Sequence, residues 1–448
     1  MSDIPQATLR TQPVIFVIGC TGTGKSDLAV AIAKKYGGEV ISADSMQIYQ
    51  GLDIATNKIT DDEMQGVPHH LMSFVNPCTS NFNVQQFREM GLQAIKEIQE
   101  RGNIPVIAGG TTYYVESLLF QDNFIPTQVP PDHNEDLKVL GKLSNTTLYS
   151  LLKEVSYRVL PLFDELVVQI DPKSAESLHP NNRARVLRAI EIFKLTGKRK
   201  SEHLDDQKKA EGVKVRYDDT LVISLDAALG VLDERLNKRV EKMKYNGLKQ
   251  EICLFYENNK KHLDTMDYGI MQCIGLKEFI PFLKLETRQR NSKVGDSLLE
   301  QGCEEVKLHT RQYSRKQRSW VRSRLISRQS NNKESFSFTW LDTSDKDTFI
   351  EGGLKHVERW MNGEDFNETN DKETESVDDS NMTIHCAECD ILISGKNNWE
   401  KHVGGKKHKA RLRLIQKNRD GQNLKRPLEE TSDDCEIASK RTKEFVSD

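Results

Sequence analysis

The run Val14-Ile15-Phe16-Val17-Ile18-Gly19-Cys20-Thr21-Gly22-Thr23-Gly24-Lys25-Ser26 decides the fold. Five apolar residues closed by a glycine read as a buried strand, and Asp27 to Lys35 beyond them read as a helix. Between the two, the glycines, lysine and serine fall at the spacing of a Walker A loop. In a strand–loop–helix context of this kind, several backbone N–H groups aim at one point, and a doubly charged diphosphate fits there best. Lys25 adds a mobile positive charge and Ser26 a hydroxyl for Mg²⁺. The candidate diphosphate-binding residues are therefore Gly19, Thr21, Gly22, Thr23, Gly24, Lys25 and Ser26. The chain handles a phosphate ester, and the loop by itself would suit ATP or GTP.

Outward from that loop, short apolar runs alternate with amphipathic stretches. Val14–Ile18, Glu39–Ala43 and Ile104–Ala108 read as strands, and Val84–Glu100 as a second helix. This alternation predicts an α/β fold with a parallel sheet and right-handed crossovers, a P-loop core of nucleotide-kinase type whose first part spans 10–120. From 121 to 207 the strand signal disappears and short helical patterns are broken by Pro126, Pro130, Pro131, Pro161, Pro172 and Pro180, which predicts a helical insertion. Leu221-Val222-Ile223-Ser224-Leu225 restores the strand pattern, and basic helices follow to about Arg328, so the core resumes over 208–345.

A net charge of −3 conceals strong local contrasts. Glu364 to Asp379 holds eight carboxylates and one lysine, whereas Lys401 to Arg426 holds ten Lys/Arg and a single Asp420. The acidic stretch is too poor in apolar residues to offset the entropy of ordering, so 362–381 reads as a flexible linker and 416–448 as a charged, disordered tail. The basic segment beside it points to nucleic acid. No apolar run approaches the roughly 20 residues of a membrane helix, and no signal-peptide core is present. The reading is a soluble intracellular monomer, cytoplasmic with possible mitochondrial and nuclear shares. The paired basic clusters Lys425-Arg426 and Lys440-Arg441, with the Cys/His segment before them, suggest nuclear entry. Eight scattered cysteines do not form a disulfide framework.

Asp44-Ser45-Met46-Gln47 follows the second strand, on the carboxyl edge of the sheet where ligands bind in open α/β folds. A carboxylate there can assist a metal, or can take a proton from a nucleophile arriving at a bound diphosphate. The run continues through Tyr49 to Thr56-Asn57-Lys58, then Pro68-His69-His70 and Gly109-Gly110-Thr111-Thr112-Tyr113-Tyr114. In order and spacing this set resembles the tRNA dimethylallyltransferases, also called tRNA isopentenyltransferases. Asp171-Pro172, His179-Pro180-Asn181, Arg185, Arg188, Thr196-Gly197, Arg239-Val240 with Met243, Gly275 to Phe279 and Thr310 to Gln317 are similar too. The resemblance covers about Val14 to Arg324.

The resemblance implies that the loop binds dimethylallyl diphosphate with Mg²⁺, and that the five-carbon group moves to N6 of adenosine 37 of tRNA. The exocyclic amine of adenine is a poor nucleophile, so a base is needed, and Asp44 is the candidate. By the same resemblance Arg239 contacts the diphosphate and Thr21 lies near the reacting oxygen. The base must be flipped out of the anticodon loop to reach the site. Asp44, Ser45, Met46, Gln47, Thr111 and Gln207 match positions that hold or replace it, and the Arg185 and Arg188 helix lies against the loop. One departure stands out. The family usually has Asn-Asp and paired arginines after His-Pro, whereas this chain has Asn181-Asn182-Arg183-Ala184-Arg185, with Arg183 available to compensate.

Two further features point to tRNA. Arg311, Arg315, Arg318 and Arg322 recur at helical spacing without an interleaved acid, a positive stripe about 16 Å long. Mutual repulsion along such a face is easiest to justify by a polyanion. At the other end, Cys386-x2-Cys389-x12-His402-x5-His408 has the spacing of a structural C2H2 zinc finger over 382–415, with Zn²⁺ saturated by four protein ligands. Its Gly404-Gly405-Lys406-Lys407-His408 setting resembles the matrin or U1 type, which favours RNA. Against this reading stand a small-molecule kinase using ATP, which leaves the Asp44 run and the finger unexplained, and an RNA-binding protein with a vestigial loop.

Overall fold

The computed structural model describes residues 10–78, 82–121, 140, 142–153, 170–179, 181–209, 214–264, 269–326, 336–366, 383–389, 391–394 and 396–422. The chain divides into two compact units, Met1–Thr369 and Asn370–Asp448.

The first unit is built on a six-stranded, wholly parallel sheet. Its strands are β1 (Val14–Gly19), β2 (Gly38–Ser42), β3 (His69–His70), β4 (Ile104–Gly109), β5 (Thr220–Asp226) and β6 (Ser337–Asp342), in the order β3-β2-β4-β1-β5-β6. The apolar run that opened the sequence reading is the central strand, buried on both faces, and its side chains divide with the period of two that a strand imposes. Val14, Phe16 and Ile18 enter one core with Ile41, Ile107 and Val222, while Ile15 and Val17 enter the other with Leu28, Ile32 and Trp360.

Helices cover both faces: α1 (Lys25–Tyr36), α2 (Val84–Glu100) and α3 (Thr112–Leu119) in the first part of the chain. Next come α4 (Asn145–Lys153), α5 (Pro172–Ser177), α6 (Arg183–Thr196) and α7 (Lys200–Lys209), which surround a core of their own made by Leu148, Leu152, Ile170, Val186 and Ile190. Asp171, fully buried, caps α5 through the Ser174 N–H at 3.0 Å and also accepts from the Ser201 N–H at 2.9 Å, so one carboxylate ties α5 to α7. The helices leave and rejoin the core side by side, where the Gln121 N–H donates to the Lys214 carbonyl at 2.8 Å and the Arg216 N–H to the Leu119 carbonyl at 2.9 Å. Of the helix-breaking prolines, only Pro172 falls among the described residues, at the first turn of α5, where a missing N–H costs nothing.

After β5 come α8 (Leu229–Tyr245), α9 (Leu248–Leu263) and the 28-residue α10 (Lys293–Trp320). The core continues beyond 345, where the sequence reading ended it: β6 extends the sheet edge and α11 (Phe349–Met361) packs Phe349, Val357 and Trp360 into the core with α1.

The second unit contains the antiparallel hairpin of β7 (Thr383–Cys386) and β8 (Ile391–Ser394), then α12 (Lys396–Gly404) and α13 (Lys406–Gln422). Helix α13 crosses position 416, where the tail was expected to begin: Lys, Arg, Leu and Gln are all strong helix formers and continue the turn. Most of the acidic linker and the tail beyond 422, including both basic pairs, lie outside the described residues. Among the described residues no helix is long and apolar enough to cross a membrane.

Candidate active site

Because the strands are parallel and in register, Gly19, Ser42, Gly109 and Asp226 end at one edge of the sheet, and the loops that follow them share that edge. The turn after β1 is compressed between neighbours. Gly22 has φ +89° and a Cβ there would lie 2.9 Å from Leu236 of α8; Gly24, at φ +83°, would meet Phe349 of α11 at 2.7 Å. Glycine is required at both positions, since other residues pay for positive φ and here would also collide. Inside the turn, the buried Thr23 hydroxyl and the Lys25 ammonium each donate to the Cys20 carbonyl at 2.8 Å. Burial pulls the Lys25 ammonium below its ordinary value, and the Asp44 carboxylate partly offsets this. Ser26 is exposed in the first turn of α1.

Thr21 is the best-connected residue of the turn. Its hydroxyl accepts from Arg239 Nη1 at 2.7 Å, and its N–H donates to Gln317 Oε1 at 2.9 Å. Arg239, from α8, is pulled down by burial and held up by the charge of Asp44. The charge of Asp44 therefore acts on both Lys25 of the turn and Arg239 of α8. Asp44 Oδ1 accepts the N–H groups of Met46 at 2.9 Å and Gln47 at 3.4 Å, which fixes the bend after β2. Thr111, at the head of α3, closes the other side: its hydroxyl accepts the Ser45 N–H at 3.0 Å and donates to the Ser45 hydroxyl at 3.3 Å. Tyr313 of α10, pushed up to about 12 by burial and by Asp44, shares contacts with Thr111 and Gln317.

The segment after Asp44 is held from below. Lys58, buried, donates to the carbonyls of Tyr49 at 2.6 Å and Gly51 at 2.9 Å, to Asp53 at 2.7 Å and to Ser73 at 2.8 Å. Gln47 spends its amide on the carbonyls of Thr56 and Asn57, and Glu251 of α9 accepts the N–H groups of Ile54 and Ala55. His70 meets Glu39 at 2.6 Å, and Glu39 also accepts two bonds from Arg101, which with other hydrogen bonds hold it down to about 2. The Thr-x-Lys signature is thus scaffolding for the segment after Asp44, whereas His70 of the Pro-His-His signature ties β3 to Glu39 at the start of β2.

The structure brings together Thr21, Lys25, Asp44, Ser45, Thr111 and Arg239. The other basic candidates lie elsewhere. Arg185 is exposed on α6 and Arg188 pairs with Glu191 at 3.3 Å, while Arg183 is engaged within the helical insertion, on the Leu143 carbonyl at 2.6 Å and Asn145. The Gln207 side chain lies outside the described residues.

The arginine stripe requires a correction. Arg318 lies 2.7 Å and Arg322 3.5 Å from Asp226 at the end of β5, Arg315 lies 2.7 Å from Asp233 of α8, and Arg311 bonds to Asn237. The charge is compensated in part across elements, by one acid on β5 and one on α8 that the spacing along one helix does not reveal, and Arg318 keeps only 17% of its side-chain surface exposed. Sequence reasoning also gave no role to Gln317, Lys58 or Glu251. Gln317 belongs to the Thr310 to Gln317 run that carried the resemblance, but only its position against Thr21 gives it a task.

In the second unit, Cys386, Cys389, His402 and His408 converge so that their ligand atoms all lie within 4.8 Å of one another. Cys386 and His408 are buried, and Cys389 Sγ is 3.4 Å from His408 Nδ1. His402 Nε2 is buried with no hydrogen-bond partner among the described residues. An orphaned imidazole nitrogen facing two thiols and a second imidazole is the donor set of a tetrahedral metal site.

Residues 47–324 match the model of the family described as IPP transferase. Among curated proteins, the chain is 35% identical over 422 residues to the human tRNA dimethylallyltransferase, covering 90% of this chain and 86% of that protein. It is 36% identical over 351 residues to the tRNA dimethylallyltransferase of Schizosaccharomyces pombe, 76% of either chain. Among solved structures, it superposes with a TM-score of 0.72 at 28% identity on a eukaryotic dimethylallyltransferase crystallised while acting on tRNA, covering 92% of this chain and 99% of that one.

Proposed function

Since this chain belongs to the IPP transferase family, we propose that it transfers the dimethylallyl group of dimethylallyl diphosphate to N6 of adenosine 37 in tRNA, releasing diphosphate. The observation that carries this reading is that Thr21 of the turn binds Arg239 while Thr111 binds Ser45, the neighbour of Asp44, whose charge acts on both Lys25 and Arg239. We read the turn from Gly19 to Ser26 as a P-loop that seats the diphosphate. Lys25 and Arg239 stabilise the charge that grows on the leaving group as the allylic C–O bond stretches, which lowers the barrier only because that charge is larger in the transition state. Thr21 orients Arg239 from inside the turn. The flipped adenine enters between Asp44 and Thr111; as N6 bonds to the allylic carbon, Asp44 takes the amine's proton and diphosphate leaves with the C–O electron pair.

The exposed Ser26 hydroxyl fits Mg²⁺ at the diphosphate, where the ion would neutralise phosphate oxygens. In the second unit, Cys386, Cys389, His402 and His408 would hold a structural Zn²⁺ in a C2H2 finger, which we assign to gripping tRNA together with Arg185, Arg188 and the half-exposed Arg315. The test is incubation of the chain with unmodified tRNA, Mg²⁺ and dimethylallyl diphosphate, followed by mass spectrometry of the nucleosides. Dimethylallyladenosine at position 37 is expected. Its absence, with ATP consumed in a parallel incubation that contains ATP and Mg²⁺, would make the chain a kinase.

A further inference from the structure

The ladder between β1 and β4 ends at Ile18 and Gly109. Past that point the two strands diverge, one into the turn holding Thr21 and the other into Gly110-Thr111. The side chain of Gln317, 2% exposed and three residues from the end of α10, fills the split. Its Oε1 accepts the Thr21 N–H at 2.9 Å and its Nε2 donates to the Gly110 carbonyl at 2.9 Å. A carboxamide offers one donor and one acceptor, as a peptide group does, so Gln317 supplies from another element the cross-link that the backbones can no longer make. The approach is close enough that a Cβ on Gly110 would lie 2.5 Å from Gln317 Nε2.

What this amide joins matters for the chemistry. Thr21 holds Arg239, on the leaving-group side, and Thr111 holds the Ser45 N–H next to Asp44, on the accepting side. We propose that Gln317 is a positioning residue that sets the separation between the diphosphate cradle and the adenine-accepting clasp. This rests on the transfer reading above and deepens it. Gln317 touches neither substrate; it acts through Thr21 and Gly110. Without it each half still binds its own substrate, but the two no longer meet at attack distance, and a misplacement of about 1 Å is worth on the order of a hundredfold in rate.

The experiment compares the wild-type chain with Gln317→Met and Gln317→Glu, measuring kcat, KM for dimethylallyl diphosphate and for tRNA, and the thermal midpoint, from about pH 6 to pH 8.5. For Gln317→Met we expect kcat to fall at least about tenfold while both KM values stay within about threefold. Gln317→Glu separates positioning from mere packing. As an ionised carboxylate it has no donor for the Gly110 carbonyl, whereas as a neutral acid it regains both bonds, so its kcat should recover toward wild type as pH falls. The wild type should show no such recovery. The inference is overturned if both variants keep kcat within about twofold, if the Gln317→Glu profile runs parallel to wild type, or if kcat and both KM values change only in step with lost folded protein. A wild-type chain that transfers no prenyl group would defeat the transfer reading itself.

Discussion

Replacing Arg239 by glutamine removes one unit of charge one hydroxyl away from the turn proposed to seat the diphosphate, since Arg239 Nη1 lies 2.7 Å from the Thr21 hydroxyl. A unit charge at about 4 Å in a site of effective dielectric near 20 interacts by about 4 kcal/mol. Buried charge-stabilising donors at other active sites contribute about 3–4 kcal/mol to the transition state. Both figures correspond to a kcat loss of about 10² to 10³. Arg239→Lys keeps the charge but loses the planar fork that reaches Thr21, so it should fall between the two. The assay is steady-state transfer to an anticodon stem-loop with both substrates saturating, with KM for dimethylallyl diphosphate measured alongside. If Arg239→Gln raises that KM but leaves kcat within about threefold, Arg239 binds the diphosphate equally before and during reaction, and the assignment to the leaving group is wrong.

Two further outcomes follow from the scaffold. The orphaned His402 Nε2 predicts one zinc per chain by elemental analysis, and its removal by a chelator, or Cys389→Ser, should unfold the hairpin and α12 as seen by far-UV circular dichroism; an unchanged spectrum without zinc would contradict the site. Glu39 is held at about 2 against an ordinary 4.5, so its contribution is complete above about pH 4.5 and is lost as pH falls toward 2. The shift corresponds to about 3 kcal/mol at most, and because Arg101 is 46% exposed about 1–2 kcal/mol is the expectation. Glu39→Gln should accordingly lower stability to urea at pH 7 and narrow the gap to wild type at pH 3, and equal gaps at both would refute the pairing.

The sequence made the central strand, its turn and the first helix legible because each signal is local: an apolar run, a glycine spacing, a period. Asp44, Thr111 and Arg239 were named from motifs and do converge. What stayed hidden depends on partners distant in sequence. Strand β6 gains its place by pairing with β5 across more than a hundred residues, and Ser337-Phe338-Thr339-Trp340 alone does not announce a sheet edge. The acids that compensate Arg315 and Arg318 lie on α8 and β5, so spacing along α10 could only report repulsion. Gln317 is an unremarkable polar residue on a polar helix until Thr21 and Gly110 are seen on either side of its amide.

The central claim is that Asp44 accepts the proton of the adenine amine. Asp44→Asn preserves the oxygen that receives the Met46 N–H and removes only the basicity. Its single-turnover transfer rate, measured with tRNA affinity in parallel, should fall at least about a hundredfold while affinity holds within a few-fold. A transfer rate near that of the wild type would contradict the account.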